Sequence, residues 1–259
     1  MGELLRYRFL FEQMVRRELR QKYQGSVLGL AWYVINPLVL MGAYYLVFAV
    51  ALRPGFKHPA YPLFLLVGLT VWIFFSQSLL AASSSLLDQG ALIRKARFPR
   101  ETIPAATVAV QLVTFLVVLA LVAVLTVAVR GTFDAPLVLL PVLLLALAAF
   151  TTGLALAVSV LHAYFRDVGP ILGAALLPWF FVSPIFFSPG DVVHSDAARE
   201  ALTWANPIAP FIIALRDVLY GGAWPTLGTV LYVLGGAVLA LGGGLLLFRR
   251  LQAELAVVV

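Results

Sequence analysis

Six long apolar stretches alternate with short polar ones along this chain. They predict six membrane-crossing helices, at residues 27–52, 60–87, 104–129, 136–161, 168–187 and 227–248. Each reaches the roughly 20 apolar residues a helix needs to cross a bilayer, and several exceed it, which calls for tilt or slack ends. The fold class is therefore all-α, with one membrane domain over residues 27–259. No period of 20–50 residues repeats, and no low-complexity linker divides the chain.

Residues 1–26 follow a different pattern. Leu4, Tyr7, Phe11, Met14, Val15 and Leu19 recur at a period of 3.6, with Arg6, Arg16, Arg17 and Arg20 facing away. Glu18 and Lys22 intrude on the apolar face near its end, four residues apart. This predicts an amphipathic helix that either lies in the cytoplasmic membrane interface or docks another protein. No apolar run with a small-residue cleavage site precedes the first span, so no cleavable signal is expected.

The fifth span is interrupted by Pro170, Pro178 and Pro184, each of which removes a helix donor. A polar stretch (SPGDVVHSDAARE) follows, then an apolar run from Ile208 to Leu215 that is too short to cross. Residues 178–220 form either an outer gate with re-entrant helices or a kinked helix plus an ordinary external loop. Irregular backbone at membrane depth needs protein or water around it.

Composition sharpens the class. Of 259 residues, 62% are hydrophobic and 12% charged, against about 45–50% and 25% in soluble domains. The net charge of +6 comes from basic residues scattered between apolar spans, which marks membrane topology and not nucleic-acid binding. Thirteen Lys and Arg fall before span one, between spans two and three, and after spans four and six; the other five are Arg53, Lys57, Arg130, Arg199 and Arg216. That asymmetry places both termini in the cytoplasm.

Several chemistries are missing from the sequence. There is no cysteine, no G-x-x-x-x-G-K-[ST] phosphate loop, no H-E-x-x-H and no G-x-S-x-G. His58, His162 and His194 are scattered, so no metal site is expected. All twelve acidic residues lie outside the spans or at their ends, which argues against a proton-driven carrier but not against carriers that hold Na⁺ through carbonyls. The polar residues left inside the spans are Asn36, Gln77, Gln111 and scattered Ser and Thr; they either hold helices together or line a polar path. The many aromatics are either interfacial belts and lipid-facing bulk or stacking platforms for sugar rings.

One segment stands apart. LIRKARFPRETIP, residues 92–104, packs four basic residues around a Phe-Pro between spans two and three. Topology accounts for the charge but not for the Phe-Pro.

The stretch RRELRQKYQGSVLGLAWYVINPL, residues 16–38, carries K-Y-x-G-S-x-L-G-x-x-W followed by an Asn-Pro inside the first span. It resembles the start of permease subunits of type-2 ABC exporters for polysaccharides (O-antigen, capsule and teichoic acid). The segment LIRKARFPRE, the FRD of Phe165–Asp167 and the Asn206-Pro207 pair agree, so the resemblance covers nearly the whole chain. It implies a homodimeric channel in the bacterial cytoplasmic (inner) membrane, with two separate ATP-binding subunits that hold ATP and Mg while this chain binds no cofactor. The cargo would be an undecaprenyl-pyrophosphate-linked glycan. Leu92, Ile93, Arg94, Lys95, Arg97, Phe98, Pro99 and Arg100 would form a coupling helix pushed by the ATPase. Arg16, Arg17, Arg20, Lys22, Tyr23, Gly25, Ser26, Gly29 and Trp32 would meet the lipid-linked substrate at the interface, the cations attracting either its pyrophosphate or ordinary anionic lipids. Tyr33, Trp72, Phe75, Trp179, Phe180, Phe181, Pro184, Asn206 and Pro207 would line the channel or its outer gate. The alternatives are a type-2 ABC exporter of a drug or lipid, an ATP-independent carrier, and a membrane scaffold.

Overall fold

The computed structural model describes residues 2–23, 29–51, 60–95, 98–131, 134–192, 195–252 and 255, and all regular structure among them is helical. Gly25, Ser26 and Arg97 lie outside the described residues, as do the side chains of Tyr23 and Tyr33.

In chain order the helices are α1 (Gly2–Tyr23), α2 (Trp32–Tyr45), α3 (Tyr61–Asp88), α4 (Gly90–Lys95), α5 (Thr102–Arg130), α6 (Leu140–Tyr164), α7 (Val168–Val182), α8 (Pro189–Val192), α9 (Asp196–Glu200), α10 (Ala209–Arg216) and α11 (Leu227–Leu251). Four are long and apolar enough to cross a bilayer: α3, α5, α6 with its leading turn, and α11. They match the second, third, fourth and sixth expected spans to within about three residues.

The fifth expected span is shorter than anticipated, and the first is less regular. The regular apolar part of the fifth is Val168–Val182, about 22 Å at 1.5 Å per residue, against a hydrocarbon core of about 30 Å. Around α2 the chain stays helical from residue 29 to 51, but a 3₁₀ turn leads in and a π turn, Leu46–Ala51, leads out. In the fifth stretch the three prolines act differently. Pro170 sits in the first turn of α7, where a missing N–H costs nothing. Pro178 lies inside the helix. Pro184 ends it, because the ring drives the preceding residue out of the α region, and Ser183 is accordingly extended at φ −77°, ψ 146°. Residues 184–187 are therefore outside the helix expected over 168–187.

The core is built around α3, which packs against α2, α5, α6, α7 and α10. Within the chain 83% of its apolar stretch is buried, against 17% for α11. A helix apolar on all sides belongs in the middle, and α11 lies at the edge of the bundle. It docks on α6 through glycines: a Cβ at Gly153 would overlap the backbone of Ala240, and one at Gly244 would overlap Gly153, the close approach that small residues permit between membrane helices. A second apolar cluster at the other end joins Met14, Leu86, Ile93, Ile103, Leu156 and Phe248. Polar ties close the same end: the Tyr164 hydroxyl donates to Leu251 O, Arg100 donates to Gln252 O, and Arg249 pairs with Glu101 at 3.7 Å.

Candidate functional site

The expected interface helix docks on the first turns of α5. Met14 is buried there, with Phe11 and Val15 packed beside it. The two intruding charges explain themselves. Glu18 accepts a hydrogen bond from Thr107 at 3.2 Å, and Lys22 donates to Gln111 Oε1 at 3.0 Å. Both helices present these groups four residues apart, so α1 and α5 run alongside one another for one turn. Burial raises the Glu18 carboxyl above its usual range against the pull of the Thr107 bond, and burial lowers the Lys22 amine. Arg16, Arg17 and Arg20 stay exposed.

Beyond Lys22 lies a cavity of about 430 Å³ between α2, α3 and α5. Asn36, Thr70, Gln77, Gln111 and Thr114 supply its polar walls, Phe74, Phe115 and Val118 apolar ones, and Gly29, Lys22 and Trp32 its end beside α1. All three amides found inside the expected spans thus line one space, though they come from three helices. A second cavity of about 280 Å³ shares Leu40, Ile73 and Gln77 with the first and continues to Tyr44, Trp72 and Phe180.

The expected channel aromatics do come together, but mostly as packed core. Trp72 meets Trp179 edge-on at 6.0 Å and Phe180 at 5.6 Å, and Phe75 meets Trp179 at 5.4 Å. Trp72, Phe75 and Phe180 are buried and Trp179 is half-buried; Phe181 is 50% exposed. Trp179 Nε1 donates to Asn206 Oδ1 at 2.8 Å, and Asn206 Nδ2 donates to Ser183 Oγ at 3.0 Å. Pro184 and Asn206 are buried and Pro207 is partly so. Asn206 therefore ties the break after α7 to the segment leading into α10.

Sequence reasoning missed the strongest element of that junction. It counted Arg216 among the external loop charges, yet Arg216 is only 5% exposed. Its guanidinium donates to Pro184 O at 2.8 Å and Ile185 O at 2.9 Å and lies 3.5 Å from the Phe64 ring centroid. Tyr61 donates to Phe186 O at 2.8 Å. Three successive carbonyls that left the helix ladder are thus met by side chains, as buried irregular backbone demands. The signal available in the sequence was an arginine ending an apolar run too short to cross.

His162 Nδ1 accepts from Gly169 N at 2.9 Å and so caps the start of α7 across the Phe165–Asp167 turn.

At the cytoplasm-facing end expected from charge, α4 holds Ile93 buried in the second apolar cluster while Arg94 and Lys95 are exposed. Leu92 is half-buried. Phe98 packs against the same cluster, Pro99 is partly buried, and Arg100 is tied to Gln252 O. The segment thus divides into an inward apolar side, Ile93 and Phe98, and an outward basic one.

A family model described as ABC-2 type transporter matches residues 10–220. The chain belongs to the ABC-2 type transporter family. It is 31% identical over 254 residues to the O-antigen export system permease protein RfbA of Myxococcus xanthus, covering 98% of this chain and 96% of that protein. Two Klebsiella pneumoniae proteins of the same name are each 28% identical, over 259 and 256 residues, covering 96% of this chain and 95% of theirs. This ABC-2 transporter chain is a multi-pass membrane permease, and its family implies an ATP-binding partner. The matched region takes in α4, both cavities and the Arg216 junction.

Proposed function

We propose that this chain is the permease subunit of an ATP-driven exporter that moves an O-antigen-type, undecaprenyl-pyrophosphate-linked polysaccharide across the bacterial cytoplasmic membrane. The observation that carries the reading is end-to-end similarity to three proteins named as O-antigen export permeases. The K-Y-x-G-S-x-L-G-x-x-W stretch supports the same cargo over a drug or a lipid.

Two copies enclose the path, and two ATP-binding subunits hold ATP and Mg while this chain binds no cofactor. Each chain crosses six times with both termini in the cytoplasm; α2 and α7 complete their crossings with the irregular turns that adjoin them. Residues 1–26 form the interface element and 27–259 the transport domain. On the cytoplasmic side, Arg94 and Lys95 present cations to acidic groups of the motor, and Ile93 and Phe98 carry its push into the helix ends. Arg16, Arg17 and Arg20 draw the anionic lipid-linked head to the membrane surface. The aromatic wall of Trp72, Phe180 and Phe181 gives rings on which sugars stack without directionality, so a long polymer slides. The 183–186 break, held by Arg216 and Asn206, shapes the outer gate. The chain performs no covalent step; it offers a path that ATP hydrolysis elsewhere opens and closes.

A deletion strain tests the reading. Lipid-linked glycans extracted from spheroplasts are compared with the surface polymer. Completed lipid-linked glycan accumulating inside with surface polymer lost is the expected result. Normal surface polymer in a strain lacking every related exporter overturns it.

A further inference from the structure

Asn36, Gln77 and Gln111 converge on the 430 Å³ cavity from three different helices. An amide in hydrocarbon is costly without a hydrogen-bond partner. Among the described residues, neither Asn36 nor Gln77 finds a side-chain partner, while Gln111 accepts from Lys22 and keeps its own N–H groups to offer. Gln77 is the most pointed case. It is exposed on α3 where Phe74, Phe75, Ser76, Ser78 and Leu79 are all buried. It also stands where the two cavities meet.

The cavity is graded. At the α1 end stand a cation, Lys22, and an indole, Trp32, 52% exposed. The amides follow, and the far walls are mostly apolar, with Thr70 among Phe74, Phe115 and Val118. Gln77 lies eleven residues before the end of α3, about 16 Å along the helix. An ordinary phospholipid headgroup is met by the cation alone at the surface and has no use for amides at that depth. A sugar ring does: its hydroxyls take and give hydrogen bonds, and its CH face lies on an indole.

We propose that this cavity is a loading site for the phosphosugar head of the lipid-linked glycan, in which Lys22 takes the phosphate, Asn36, Gln77 and Gln111 bond the hydroxyls of the first sugar, and Trp32 covers its apolar face. The assignment rests on the export reading above and adds to it a place where the sugar nearest the lipid is read. The second cavity then leads from Gln77 to the aromatic wall, so a sugar held here stands at the start of that path.

The test uses the permease with its ATP-binding subunits in phosphatidylcholine nanodiscs. Three probes are titrated: farnesyl-pyrophosphoryl-N-acetylglucosamine, farnesyl pyrophosphate and phosphatidylglycerol. Wild type should bind the sugar probe about tenfold more tightly than farnesyl pyrophosphate, as one or two buried hydrogen bonds would give. Gln77→Leu and Asn36→Leu, both compatible with hydrocarbon, should erase that preference and leave farnesyl pyrophosphate binding unchanged. Lys22→Gln should weaken both prenyl probes. Equal binding of the sugar and sugarless probes, an undiminished preference in the leucine variants, or equal affinity for phosphatidylglycerol overturns the site. Dissociation of the dimer in Gln77→Leu also overturns it, since the amides would then be glue between copies. Normal export by Gln77→Leu with export lost in the deletion strain sinks the loading site and leaves the export reading intact.

Discussion

Replacing Arg216 by methionine probes the junction most directly. The guanidinium makes two charge-assisted hydrogen bonds, to Pro184 O and Ile185 O, and a contact over Phe64. Methionine keeps much of the volume and supplies no donor. Two buried carbonyls lose their partners, at about 1–3 kcal/mol each, and the cation–π contact adds roughly 0.5–2 kcal/mol. Relief from burying a cation offsets part of this, leaving a net loss of about 2–4 kcal/mol. Lysine, a point charge without the planar fork, cannot meet both carbonyls at once, so Arg216→Lys should fall between. Tyr61→Phe removes one bond to the same segment and should cost about 1 kcal/mol. The assay is reversible unfolding by dodecyl sulfate titration in mixed micelles, with amide exchange across residues 183–190 as the local readout. The expected order is wild type, Tyr61→Phe, Arg216→Lys, Arg216→Met. If Arg216→Met lies within about 0.5 kcal/mol of wild type, or lysine serves as well as arginine, the clamp does not hold the break.

Gly153→Leu should separate α6 from α11, because the new side chain would start inside the Ala240 backbone; size-exclusion chromatography should show aggregated or degraded protein, and a monodisperse peak counts against that packing. Arg94→Glu with Lys95→Glu, at exposed positions, should leave folding intact and weaken co-purification of the ATP-binding subunit, whereas Phe98→Ala should lower stability as well, since its ring is packed; retained co-purification with normal export refutes the coupling assignment. Burial raises the Glu18 pKa above 4.5, so docking of α1 is strongest with the carboxyl protonated and weakens as pH rises through the raised value; amide exchange in α1 should accelerate across that window in wild type and stay flat in Glu18→Gln.

The apolar pattern carried the membrane class and placed four helices well, because a crossing segment must satisfy its backbone internally and so declares itself by length. The same pattern overstated α7, since apolar residues continue past the point where Pro184 turns Ser183 out of the helix. Asn36, Gln77 and Gln111 were visible one at a time; only the packing of α2, α3 and α5 puts them around one space. Glu18 and Lys22 looked like blemishes on an apolar face and are its docking contacts. The burial of Arg216 was missed because a charge count treats every arginine beyond a span as solvated, while its partners are carbonyls released by a proline more than thirty residues earlier. No local window contains both halves of that interaction.

Joining the two ends of the molecule gives a mechanical argument about what a push on α4 would move. Ile93 shares its apolar cluster with Leu86 of α3, Ile103 of α5, Leu156 of α6 and Phe248 of α11, and polar ties fix α5 and α6 to the end of α11. Close-packed interiors transmit strain and do not absorb it, so displacement there would carry the helix ends together. Of these helices only α3 borders both cavities and also reaches the Arg216 clamp, through Phe64 and Gly68. A rigid shift of α3 would therefore change the first cavity and the 183–186 break in one motion, whereas α11, lining neither cavity, would ride along. A smaller side chain at Phe64 should then loosen the 183–186 break while leaving the cluster around Ile93 intact. Amide exchange in Phe64→Leu should rise across residues 183–190 and stay unchanged in α4, and equal acceleration at both ends would mean that the two are not separate points on one lever.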